Sequence, residues 1–78
     1  MMQVWLVESG ERGEGGSVRG LYFEEDKAFK AVLGMQAVMD YTEEPWVEEE
    51  LPAYAKSLQI RRWTSGCDWI CMGLRAVQ

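Results

Sequence analysis

Apolar residues recur at helical spacing in one long stretch of the chain, Glu24 to Tyr41 (EEDKAFKAVLGMQAVMDY), and at strand-like spacing on either side of it. At about 100° per residue, Ala28, Ala31, Val32, Met35 and Met39 share one stripe, flanked by Phe29 and Val38. Asp26, Lys27, Lys30 and Asp40 lie outside it, so the pattern predicts an amphipathic helix that needs a surface to cover. Glu24, Glu25 and Asp26 mark its start, where negative charge meets the positive end of the helix dipole. Gly34 breaks the logic: it falls on the outer side of the wheel, costs about 1 kcal/mol against alanine, and close packing on a sheet does not explain it.

The flanking segments alternate. Met2 to Glu8 reads as a strand with Met2, Val4 and Leu6 on one face and Gln3, Trp5 and Val7 on the other; both faces carry apolar weight. Ser9 to Ser17 (SGERGEGGS) follows as a loose hairpin connection. Val18 to Phe23 is the second strand, with Arg19, Leu21 and Phe23 on one side and Val18, Gly20 and Tyr22 on the other. An antiparallel pairing of residues 2–8 with 17–23 would place Val4, Leu6, Leu21 and Phe23 beneath the helix. After the helix, Thr42 to Ser57 carries Pro45, Pro52 and five glutamates and reads as a connector in pieces, with Thr42 as the cap of one short turn and Ala53 to Lys56 as another. Leu58 to Thr64 and Asp68 to Val77 then form a second hairpin about Ser65 and Gly66, in which Arg62 meets Trp69 as a cation-π pair.

These elements predict a single α+β domain over residues 1–78, ordered β-β-α-β-β: a four-stranded, mostly antiparallel sheet with one main helix packed on one face. The other face is left bare, and Trp5, Val7, Val18, Tyr22, Trp63 and Trp69 are its expected lining. A contiguous apolar patch of that kind marks an interface, with a second copy of the chain or another protein. The competing expectation is that the connector folds over it through Trp46 and Tyr54.

Composition narrows the function. At 78 residues the domain buries only about 60% of its unfolded surface, which favours help from a partner. No apolar run exceeds four residues, against the roughly 20 needed to span a bilayer, so no membrane span is expected. The N-terminus has no secretory pattern, and the expected compartment is the cytoplasm. Two cysteines, Cys67 and Cys71, and no histidine are too few for a disulfide framework or a four-ligand zinc site. Gly10, Gly13, Gly15 and Gly16 fit no phosphate-binding spacing and lead into a strand rather than a helix. No nucleophile motif, acid-base pair or metal cluster is present, so neither an enzyme nor a cofactor is expected.

Charge supplies the one remaining constellation. The net charge of −5 argues against direct contact with nucleic acid. Asp40, Glu43, Glu44, Glu48, Glu49 and Glu50 concentrate carboxylates where no basic residue stands between Lys30 and Lys56. Such a run is either a solvated connector or an acidic surface that docks on a basic groove of another protein in place of nucleic acid.

Three stretches carry a resemblance: VWLVESGE from Val4 to Glu11, GLYFEEDKA from Gly20 to Ala28, and RRW from Arg61 to Trp63. In them the chain resembles a loose group of small bacteriophage-encoded proteins, in which a strand ending in SGE, a G-x-Y/F strand, an acidic helix entry and a late tryptophan strand recur. The longer connector and the last hairpin depart from that group. The resemblance implies the fold above and a phage origin, with no activity attached. The resulting expectation is a protein that binds and inhibits a host protein with a basic surface, such as an anti-CRISPR or other anti-defence factor. The alternative is a dimeric module that binds or sequesters a nucleotide-like molecule on an aromatic sheet face.

Overall fold

The computed structural model describes residues 2–39 and 44–77. Its elements are β1 (Met2–Glu11), β2 (Ser17–Tyr22), α1 (Glu25–Val38), β3 (Val47–Glu48), α2 (Ala53–Ser57), β4 (Arg61–Ser65) and β5 (Asp68–Val77). The fold is α+β: all five strands join one antiparallel sheet in the order β2-β1-β5-β4-β3, and α1 packs on one face of it.

The sheet has one strand more than the sequence predicts. β3 is only two residues long, between Pro45 and Pro52, and it pairs Val47 with Thr64 and Glu48 with Trp63. Glu49 prolongs the contact by donating its N–H to the Arg62 carbonyl at 2.8 Å. A pairing this short has no periodicity of its own to read. β1 in turn runs past Ser9 and Gly10 to Glu11, because β5 offers it a partner at every position from Met2↔Val77 to Glu11↔Asp68.

The face of the sheet beneath the helix is the reverse of the expected one. Trp5 and Val7 of β1, Ile70 and Met72 of β5 and Trp63 of β4 meet Ala28 and Val32 of α1, with Tyr22, Phe29, Met35, Met39, Trp46 and Leu74 packed around them. Both faces of β1 are apolar, so alternation could not choose between them. Area favours the observed choice: an aromatic side chain buries about 150–250 Å², so placing Trp5 with Val7 beneath α1 beside Trp63 removes more apolar surface from water there than Val4 with Leu6 would, and Val4 is still only 7% exposed on the other face. Phe29 adds a tilted ring contact to Trp63, with centroids 5.9 Å apart.

A bulge then reassigns β2. Val7 pairs with Gly20 but Glu8 pairs with Val18, so Arg19 is the extra residue. Beyond it the alternation changes phase, and Val18 joins Leu21 on the open face while Arg19 turns to the α1 side, where its Nε donates to Ser9 Oγ at 2.7 Å.

The second hairpin turns at Gly66 and Cys67, one residue later than predicted, with Gly66 at a positive φ of 59° and Ser65 opposite Asp68. The shift moves the turn without changing which residues share a face, so Arg62 still lies over Trp69, 5.0 Å from the ring centroid. β4 also starts later, because Leu58 to Ile60 close α2. Gln59 takes a positive φ of 57°, its N–H donates to the Lys56 carbonyl, and the Ile60 N–H donates to the Ala55 carbonyl. That is a Schellman ending with glutamine where glycine is usual.

Candidate binding surface

Three carboxylates of the acidic run, Glu48, Glu49 and Glu50, are paired with cations of the same chain. Glu48 accepts two bonds from Arg61, Nε to Oε2 and Nη2 to Oε1, each 2.8 Å. The bond from Arg61 holds the Glu48 carboxyl below the ordinary carboxylate value against the upward pull of burial, and Glu48 in turn raises the Arg61 guanidinium further above neutrality. That guanidinium also lies 4.8 Å from the ring centroids of both Phe29 and Trp63, which ties the pair to the core. Glu49 faces Arg62 at 3.6 Å, and Glu50 pairs with Lys56. Exposed pairs of this sort add little stability, yet each cancels a negative charge. Glu44 stands near the β4–β5 turn, where its carbonyl accepts from Ser65 Oγ at 2.8 Å. Asp40 and Glu43, and with them the Thr42 cap, lie outside the described residues. The free acidic surface expected from the sequence therefore loses Glu48, Glu49 and Glu50 to cations that follow them in the chain.

The expected aromatic lining is corrected in a similar way. Trp5, Val7 and Trp63 are 7%, 0% and 5% exposed and form the core under α1, so they are unavailable to a partner on the bare face. Trp69 is half-buried on the open face, where its indole rests on Gly10 and Gly16; a Cβ on Gly16 would stand 2.4 Å from the ring. The glycine-rich loop is a seat for this tryptophan. Tyr22 is half-buried on the α1 side with its ring laid along Gly20, and Val18 is exposed. The connector does not cover the open face through its aromatics, because Trp46 packs against the core cluster and Tyr54 is exposed.

Among the described residues Leu33, Val47, Tyr54 and Leu58 are exposed singly on α1, β3 and around α2, while Met2, Val18, Leu21, Phe23 and Val38 stand together around β2. This strand is one of the two sheet edges, β3 being the other, and among the described residues no further strand pairs with its outer side. On the open face Val18, Leu21 and Phe23 are 58%, 62% and 74% exposed, with Met2 beside them. On the other face an open groove of about 710 Å³ runs between β2 and α1, walled by Tyr22, Ala31, Gly34, Met35, Val38 and Met39, with Ser9 and Arg19 at its polar end. Gly34 faces open space there: a Cβ on it would meet nothing within 4 Å. Sequence reasoning missed the groove, although the unexplained helix glycine and a lone arginine in an apolar strand were its signals.

Other chemistry is sparse. Cys67 is exposed in the turn and Cys71 is half-buried, and neither is in a disulfide. Burial first, and then the charge of Glu8, push the Cys71 thiol up, so it stays protonated and poorly nucleophilic at neutral pH. Among the described residues no three of His, Cys, Asp or Glu come together as a metal site, and no helix is long and apolar enough to cross a membrane. Comparison with protein-family models, with curated proteins and with solved structures finds no match to this chain, so the β2 edge and its groove rest on geometry alone.

Proposed function

We propose that this chain is a binding protein that acts by occupying another protein, and that its working surface is the β2 edge with the apolar margins on both sides. One observation carries the reading: Val18, Leu21 and Phe23 stand exposed along an unpaired strand edge, while Glu48, Glu49 and Glu50 are matched by Arg61, Arg62 and Lys56. Exposed apolar area along a free edge favours association. Antagonism of a host defence protein is the setting proposed for it; the phage resemblance itself attaches no activity. The proposed target contact is apolar and edge-mediated rather than a nucleic-acid-like display of charge.

The test is retrieval of the partner from a bacterial host with three forms of the tagged protein, read by native mass spectrometry. Leu21→Lys should lose the partner, because an ammonium would be buried in the contact. Replacing Glu48, Glu49 and Glu50 by lysine should keep it. The opposite pattern would restore the acidic surface and overturn the edge.

A second reading keeps the groove for a small apolar molecule, since about 710 Å³ falls within the usual range for such sites. The same spectra check it: a bound mass lost on Gly34→Leu would support it, and bare protein throughout would overturn it.

A further inference from the structure

Three features of the groove converge on one kind of occupant. Its long wall is α1 and its short wall is β2, which gives it Arg19 and Tyr22; the backbone groups of β2 from Gly20 to Tyr22 lie on the regular part of the strand, and among the described residues no strand pairs with its outer side. An extended segment laid there would gain ladder hydrogen bonds and would project alternate side chains to the two faces, spaced about 6.6 Å apart. Those on one face would fall into the groove against Tyr22, Met35 and Val38, and those on the other beside Leu21.

The second feature is the bulge. It ends regular pairing at Arg19 and aims that side chain into the groove, where Ser9 Oγ holds its Nε at 2.7 Å. The bond to the hydroxyl uses Nε, and no hydrogen bond or ion pair among the described residues uses the two terminal nitrogens. Arg19 makes no ion pair among the described residues, in a chain with a net charge of −5. Arg19 is exposed between apolar Tyr22, Met35 and Met39 on one side and Glu11 and Asp68 on the other, neither of which forms an ion pair with it, and a carboxylate is the group that matches its planar fork of donors.

The third is placement. Arg19 is drawn toward Ser9 on β1, one strand in from the edge. A group bonding it must reach inward over β2, across roughly the 4.8 Å between neighbouring strands. A glutamate or aspartate side chain does this; a terminal carboxylate on the backbone line of an added strand stays outboard.

From these we infer that the groove receives an extended segment of the partner protein as a sixth strand along β2, with apolar side chains between β2 and α1 and one acidic side chain on Arg19. The inference rests on the protein-binding reading above and names the chemistry of the partner.

The experiment is a selection from a displayed library of random heptapeptides tethered at both ends, so that no terminal carboxylate is offered. The selected sequences should carry one Glu or Asp among alternating apolar residues. A synthetic peptide of that sequence should bind the wild-type chain at least about tenfold more tightly than Arg19→Gln, the loss expected for a charged hydrogen-bonded pair. Changing the peptide's acid to its amide should cost as much, and combining the two changes should cost no more than either alone. Gly34→Leu, which fills the groove from a position with no neighbour within 4 Å, should abolish binding while retaining a cooperative thermal transition.

Recovery of no sequences, of sequences without an acid, or of peptides that bind Arg19→Gln equally well would overturn the inference. So would a concentration-dependent dimer that Gly34→Leu dissociates, since a second copy would then be the occupant. Failure here is separable from failure of the broader reading. A natural partner lost on Leu21→Lys but kept on both Arg19→Gln and Gly34→Leu removes the groove occupant alone, whereas a partner kept on all three removes both.

Discussion

Replacing Gly34 by alanine should make this protein more stable. The glycine sits inside α1, away from both caps, at an ordinary helical φ, and a Cβ added there has no atom within 4 Å. Nothing must shift, so no strain offsets the gain; nothing is buried either, so no packing term adds to it. What remains is helix propensity, about 1 kcal/mol between glycine and alanine in a helix interior, which acts in part by narrowing the unfolded ensemble. For a domain of this size that corresponds to a rise in Tm of about 4–8 °C. Urea titration followed by far-UV circular dichroism, with a thermal scan on the same samples, measures both quantities. An unchanged or lower midpoint would refute the reasoning, because it would mean that α1 is not a continuous helix at Gly34 or that another chain already fills the space. A stability gain accompanied by weaker partner binding would give the glycine its reason: it keeps the groove wide at a cost to the fold.

A matched pair in the first loop tests the seat of Trp69: Gly16→Ala should lose about 1–3 kcal/mol by overpacking, whereas Gly15→Ala, with no neighbour within 4 Å, should be nearly silent in the same urea titration. Gln59→Gly should stabilise the chain by about 1 kcal/mol by relieving a left-handed backbone at a non-glycine residue, and an unchanged urea midpoint would count against the Schellman ending of α2. Because the Glu48 carboxyl lies below its ordinary value in the folded state, the Arg61 pair contributes above the usual carboxylate range and its contribution fades as pH falls through the lower folded value. The stability difference between wild type and Glu48→Gln, kept small by solvent screening, should therefore shrink from pH 7 toward pH 3; a constant difference would contradict the pairing. A thiol reagent at neutral pH should modify exposed Cys67 well before Cys71, whose thiol is buried and raised, and mass spectrometry of the first adduct decides it.

The fold class was legible because the helix and the two hairpins are local patterns long enough to repeat. α1 keeps the predicted stripe, with Ala28 and Val32 fully buried, and both hairpins form from the expected segments, though with a shifted turn in one and a bulge in the other. The face of β1 was not legible: Val4, Trp5, Leu6 and Val7 are all apolar, and only the distant Trp63, Ile70 and Met72 decide which pair turns inward. The bulge at Arg19 was hidden for a different reason. It changes the phase of alternation within a six-residue strand, too short for a second phase to show. The pairing of Glu48 and Glu49 within the acidic run was not legible because charge was read along the sequence, while their partners, Arg61 and Arg62, come from β4 on the far side of α2. Linear density of charge overstates surface potential whenever a later strand returns with the opposite sign.

The central pairing of β1 with β5 has a consequence for how the chain reaches this state. The β4–β5 hairpin is closed by a two-residue turn and the β1–β2 hairpin by a longer local loop, and both can form early, on the microsecond scale typical of hairpins, about 1–10 μs. Their union is another matter, because the first strand meets the last and the ladder runs from Met2↔Val77 to Glu11↔Asp68. That step closes nearly the whole chain into one loop, which carries most of the entropic cost and places the domain among slower folders for its length. α1 can dock beforehand only on β1 and β2, since the rest of its seat comes from β5 and the core it joins includes Ile70, Met72 and Trp63 from the far half. Until β5 arrives, that half of the core is missing and the inner edge of β1 is unpaired, so the interval before the last strand joins is when this protein is most exposed to proteolysis and misassociation.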